Sequence, residues 1–109
     1  MTFDEYQKWS RETAKYPSIG KGFVYPTLGL AGEAGEVSEK IKKIMRDKGG
    51  EVDEGTRQEI AKELGDVLWY LSQIASEIDL SLDVIAALNI EKLKSRKERG
   101  VIHGSGDNR

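Results

Sequence analysis

The chain has no cysteine, a single histidine and two prolines among its 109 residues, and aromatics make up only 7%. Without cysteine there are neither disulfides nor thiolate metal ligands. One histidine is too few for the nitrogen-bearing ligand sets that zinc and di-iron centres favour. No apolar run approaches the ~18 residues of a membrane span, and MTFDEYQKW has neither the basic nor the apolar region of a leader segment. The net charge of −2 removes the electrostatic case for nucleic acid, because phosphate-backbone binders show a basic face. These absences lead us to expect a cytoplasmic protein with no membrane or nucleic-acid partner.

What the chain does have is charge, at 33% of residues, and helical periodicity. Its length suits one domain with a compact core. A first helix is expected over residues 2–16, capped by Thr2 with Glu5 completing an S/T-x-x-E box, and stopped by Pro17. Phe3, Tyr6, Trp9 and Thr13 give it a loose amphipathic face. A second helix is expected from Pro26 to Asp47, with Leu30, Ala34, Val37, Ile41 and Ile44 at helical spacing. After a polar connector, Ile60, Leu64, Val67, Leu71, Ile74 and Ile78 mark a third helix over 56–79. Ser81 and Asp83 start a fourth, which Gly100 ends. The sequence therefore predicts an all-α four-helix bundle over residues 1–100 and a glycine-rich tail over 101–109. The first helix is short and weakly patterned, so completion of the bundle by a partner chain, in an oligomer, is expected.

One short figure occurs twice. LAGEAGEV (30–37) and AKELGDVLWYL (61–71) both contain E-x-G-[DE]-V. On a helical wheel Glu33 lies about 40° from Val37, inside the apolar arc, with Glu36 about 60° to its other side. Glu63 and Asp66 repeat that arrangement on the third helix. Most E-x-x-E pairs are solvated surface, but an unpaired buried carboxylate is costly and here two helices share the exception. Gly35 and Gly65 each cost about 1 kcal/mol against alanine within a helix, which predicts a close approach of another element there.

Four carboxylates converging from two helices repel one another unless a cation lies among them. Hard oxygen ligands suit Mg²⁺, with Mn²⁺ as an alternative. Magnesium sites commonly share their ion with substrate phosphates, and the fourth helix carries Asn89, Lys92 and Arg96 on one face as a basic complement. Tyr70 lies beside the carboxylate face, and Trp69 lies off the core stripe, where a subunit interface is expected. His103 reads as an ordinary surface residue.

With these motifs the sequence resembles the MazG-like all-α nucleoside triphosphate pyrophosphohydrolases. The signature is E-x-x-E on one helix and E-x-x-D on the next, here Glu33-Ala-Gly-Glu36 and Glu63-Leu-Gly-Asp66. The resemblance runs from YPTLGLAGEAGEV through AKELGDVLWYL to NIEKLKSR. Gly32 stands where many MazG domains have a further glutamate, which is closer to the dCTP-pyrophosphatase branch. The resemblance implies Mg²⁺-dependent cleavage between the α- and β-phosphates of a (d)NTP, giving a monophosphate and pyrophosphate. It implies that Glu33, Glu36, Glu63 and Asp66 are metal ligands, one doubling as general base. Asn89, Lys92, Arg96 and Tyr70 become substrate contacts, and a homodimer or homotetramer becomes the expected assembly. Two other readings compete: a non-catalytic helical interaction module, and a related phosphohydrolase acting on a non-nucleotide or phosphoribosyl diphosphate.

Overall fold

The computed structural model describes residues 1–109 and contains four α-helices and no strand. They are α1 (Phe3–Ser10), α2 (Val24–Lys48), α3 (Glu54–Glu77) and α4 (Leu82–Glu98), with a short 3₁₀ turn at Arg11–Thr13. None is long and apolar enough to cross a membrane.

The caps follow from local chemistry. Thr2 accepts from the Glu5 backbone N–H at 3.1 Å, and Ser81 accepts from Val84 N–H at 3.2 Å. Asp53 accepts from Thr56 N–H at 2.8 Å, so α3 begins two residues before the expected start at 56. α2 ends at Gly49, which takes a left-handed φ of 59° and returns its N–H to the Ile44 carbonyl. Its start also lies two residues earlier than expected, at Val24, leaving Pro26 in the first turn and buried.

The first helix is shorter than the expected span to residue 16. Ser10 Oγ donates back to the Gln7 carbonyl and Thr13 Oγ1 to the Ser10 carbonyl, bonds that compete with helix continuation. The residue before Pro17 is also biased toward extended backbone.

α2 and α3 form an antiparallel hairpin: Lys48 Nζ meets Thr56 Oγ1 near the turn, Lys40 pairs with Glu59, and Gly29 faces Tyr70 at the far end. α1 lies antiparallel on the C-terminal half of α3 through a polar seam. Gln7 bonds Ser76, Ser10 meets Ser72 at 3.0 Å, and Gln73 Nε2 donates to Ser10 Oγ at 2.9 Å. Ser72 and Gln73 are fully buried and every buried side-chain polar atom has a partner, so this seam is held by directional bonds. Gln7 also accepts from Leu82 N–H at 2.8 Å and so ties the start of α4 to α1.

Only nine residues are buried, and just Ile44, Ala75 and Leu82 are hydrophobic side chains among them apart from Pro26. The radius of gyration is 16.8 Å, against about 13 Å for a compact chain of this length. Ile41, Leu64, Val84, Leu88 and Ile90 remain exposed. Four helices are present, but one chain alone leaves the bundle open.

Candidate metal centre

The α2–α3 hairpin brings the two carboxylate motifs together. One oxygen each from Glu33, Glu63 and Asp66 lies within 4.8 Å of the others. Glu33 and Glu63 are half-buried, and Asp66 is exposed. Glu36 lies outside this group of three and is exposed, though its charge still reaches Glu33. Burial, followed by the charges of Asp66, Glu63 and Glu36, pushes the Glu33 carboxyl above the ordinary carboxylate range. A cation among these oxygens would reverse that penalty, and an all-oxygen donor set suits a hard divalent ion.

Tyr70 stands beside the cluster. Its hydroxyl is raised by burial and then by Tyr25, Glu33 and Asp66. The ring fills the space over Gly29, where an added Cβ would collide with it. The close approach thus occurs at Gly29, one turn before the first motif. The approach expected at Gly35 and Gly65 is absent, because nothing in the chain comes within 4 Å of a Cβ at either. Trp69, expected at a subunit interface, is used within the chain: Nε1 donates to Thr13 Oγ1 at 3.0 Å. Its indole is edge-on to Tyr16 and Tyr70.

α4 approaches α3 from a different side. Asn89 lines a groove with Phe3, Leu68, Leu71, Leu82 and Ile85. Leu68 and Leu71 lie about 140° and 80° from Glu63 in one sense, while Asp66 lies about 60° in the other. Lys92 and Arg96 are engaged with the tail. Lys92 Nζ lies 3.2 Å from Asp107 Oδ1, and Arg96 donates to the Asp107 carbonyl at 2.8 Å. Arg96 is 5% exposed. Arg109 in turn donates to the carbonyls of Val101, Ile102 and Gly106, so residues 101–109 fold back on the end of α4.

Tyr6 is a neighbour of the site that sequence reasoning read only as part of an amphipathic face. Burial and then the Asp66 charge raise its hydroxyl. The network of Arg11, Tyr16 and Glu77 was also invisible, since Glu77 lies 61 residues beyond Tyr16: Tyr16 donates to Glu77 at 2.8 Å and accepts from Arg11 at 3.0 Å.

Comparison with known proteins identifies the family. The family described as MazG nucleotide pyrophosphohydrolase domain matches residues 26–101, a span that holds all four motif carboxylates and the whole of α4. The chain is also 48% identical over 114 aligned positions to the Gene 37 protein of Mycobacterium phage L5, with the full length of both chains covered. No solved structure matches. A match over most of the chain, on the helices that bring Glu33, Glu63 and Asp66 together, shows that the protein belongs to the MazG nucleotide pyrophosphohydrolase family.

Proposed function

We propose that the protein is a Mg²⁺-dependent nucleoside triphosphate pyrophosphohydrolase that cleaves (d)NTP between the α- and β-phosphates, releasing (d)NMP and pyrophosphate. The observation that carries this reading is the convergence of the Glu33, Glu63 and Asp66 oxygens within 4.8 Å. These three would hold the ion, with Glu36 completing the set from the margin. Mn²⁺ suits the same donors. Bound there, the ion supplies Lewis-acid chemistry, neutralising phosphate oxygens and making water nucleophilic near neutral pH.

The chain's own groups do the rest. One of these carboxylates doubles as the general base that orients and deprotonates the attacking water. The half-buried walls of Glu33 and Glu63 limit competing solvent, and Tyr70 borders the substrate on the side of Gly29. Asn89, Lys92 and Arg96 lie on another side of α3 within one chain, with Lys92 and Arg96 held by Asp107, so their proposed contact with substrate requires the assembly to bring them to a carboxylate cluster. A homodimer or homotetramer covers the exposed apolar faces of α2, α3 and α4.

The test is a panel of canonical and modified (d)NTPs with Mg²⁺, separated by product. The reading expects monophosphate and pyrophosphate from at least one nucleotide, and none from Glu63→Gln. Turnover confined to a non-nucleotide or phosphoribosyl diphosphate would replace it. Absence of both turnover and Mg²⁺ binding would point to a non-catalytic helical module.

A further inference from the structure

The tail is held to α4 without help from its acidic side chain. Gly100 takes a left-handed φ of 70°, and Val101 N–H returns to the Arg96 carbonyl at 2.9 Å, which reverses the chain after the helix. Arg109 then donates to the carbonyls of Ile102 and Gly106 at 2.7 Å each and of Val101 at 3.1 Å. Arg96 Nη2 reaches across to the Asp107 carbonyl at 2.8 Å. These bonds to backbone oxygens close the fold-back and give the buried Arg96 guanidinium its partners.

The Asp107 carboxylate is placed differently. Gly106, at a φ of 85°, turns the chain just before it, and Oδ1 comes to lie 3.2 Å from Lys92 Nζ and 3.4 Å from Arg96 Nη2. Neither cation has another ion pair. The Asp107 side chain is 83% exposed, that of Lys92 37%, and that of Arg96 only 6%. An ion pair so open to water adds little stability. Its effect falls instead on what the two cations can hold, because one carboxylate oxygen stands where an anionic oxygen from outside would bind.

We propose that Asp107 is an internal mask on the Lys92–Arg96 pair: its carboxylate occupies the pair in the free chain and gives way to the phosphate oxygens of an incoming polyphosphate. The inference rests on the proposed role of Lys92 and Arg96 as substrate contacts. No covalent bond changes. One anionic oxygen replaces another, and the carbonyl bonds keep the tail in place. A weak, exposed pair suits this exchange. A ligand bearing several phosphate charges gains more than the lost contact, whereas a singly charged anion trades like for like.

Calorimetric titration with Mg²⁺ tests the exchange, using inorganic tripolyphosphate and an α,β-methylene nucleoside triphosphate. Asp107→Asn keeps the backbone carbonyl for Arg96 and removes only the charge. It should tighten both ligands about threefold to fivefold. Measured against Lys92→Ala, the same change should bring no gain. Glu98→Gln removes an equal charge from the same end of α4 and should alter binding less than about twofold. Equal gains in Asp107→Asn and Glu98→Gln, a gain confined to one ligand, a gain that survives Lys92→Ala, or no gain at all would overturn the mask. Tighter binding of both ligands by a chain that hydrolyses no nucleotide keeps the mask and removes the hydrolase reading. Hydrolysis with unchanged binding in Asp107→Asn does the reverse.

Discussion

Glu33 shows how the centre is built at the scale of a residue. It is half-buried among three acidic neighbours, and its raised carboxyl means that the native state keeps a proton the unfolded chain has lost. The stability linked to that proton is fully present below the ordinary carboxylate range and falls as pH rises through the raised value. Thermal melts of metal-free protein across the weakly acidic range should show that decline, and Glu33→Gln should flatten it. An unchanged slope in Glu33→Gln would remove the electrostatic account. Glu63→Gln and Asp66→Asn relieve the same repulsion, so both should remain folded, within about 1 kcal/mol of wild type, while losing Mg²⁺-dependent turnover. Wild-type activity in both would sink the ligand assignment. Gly29→Ala is the steric counterpart: a Cβ there meets the Tyr70 ring, and overpacking should cost about 1–3 kcal/mol. Urea unfolding checks this, and a neutral result would show that the ring moves aside freely.

At the scale of an element, the helices were legible wherever local chemistry decides. Thr2 and Ser81 cap as their types suggest, and Gly100 follows the last helix. The early end of α1 has a local part, the Ser10 and Thr13 hydroxyls bonding back to nearby carbonyls, and a distant one, the bonds of Ser10, Arg11 and Thr13 to α3, which the local sequence does not announce. Asp53 was a missed cap within a polar connector. Its carboxyl is held down to about 2, chiefly by the Thr56 backbone N–H, then by the Thr56 hydroxyl and Lys48. A lowered folded value gives stability that is present above the ordinary carboxylate range and lost as pH falls toward about 2. Asp53→Asn keeps a capping oxygen but should remove that share of the acid limb, as acid titration followed by circular dichroism would show. The repeated motif announced the carboxylates, whereas the reason for its glycines was misplaced. Gly35 and Gly65 face open space within the chain.

At the scale of the molecule, the sequence pattern predicted four apolar stripes without showing how few close within one chain. Leu88 is 59% exposed, and its neighbours along α4, Val84 and Ile90, are similarly open. Sedimentation at micromolar concentration should find a dimer or larger species, and Leu88→Asp should shift it toward monomer with helicity unchanged; a wild-type monomer would reject an assembly closed through α4. The spacing of Asn89, Lys92 and Arg96 was readable, but the tail's hold on two of them was not, because Asp107 lies eleven residues beyond Arg96 along the chain and meets it only after the fold-back. The same fold joins Glu33 to Asp66, and that juxtaposition is the foundation of the functional reading. Hydrolysis of a nucleoside triphosphate in ¹⁸O-labelled water with Mg²⁺, followed by ³¹P NMR, tests it most directly. The account predicts label in the monophosphate, unlabelled pyrophosphate, and no product from Asp66→Asn; label in inorganic phosphate with accumulating nucleoside diphosphate, or undiminished turnover by Asp66→Asn, would contradict it.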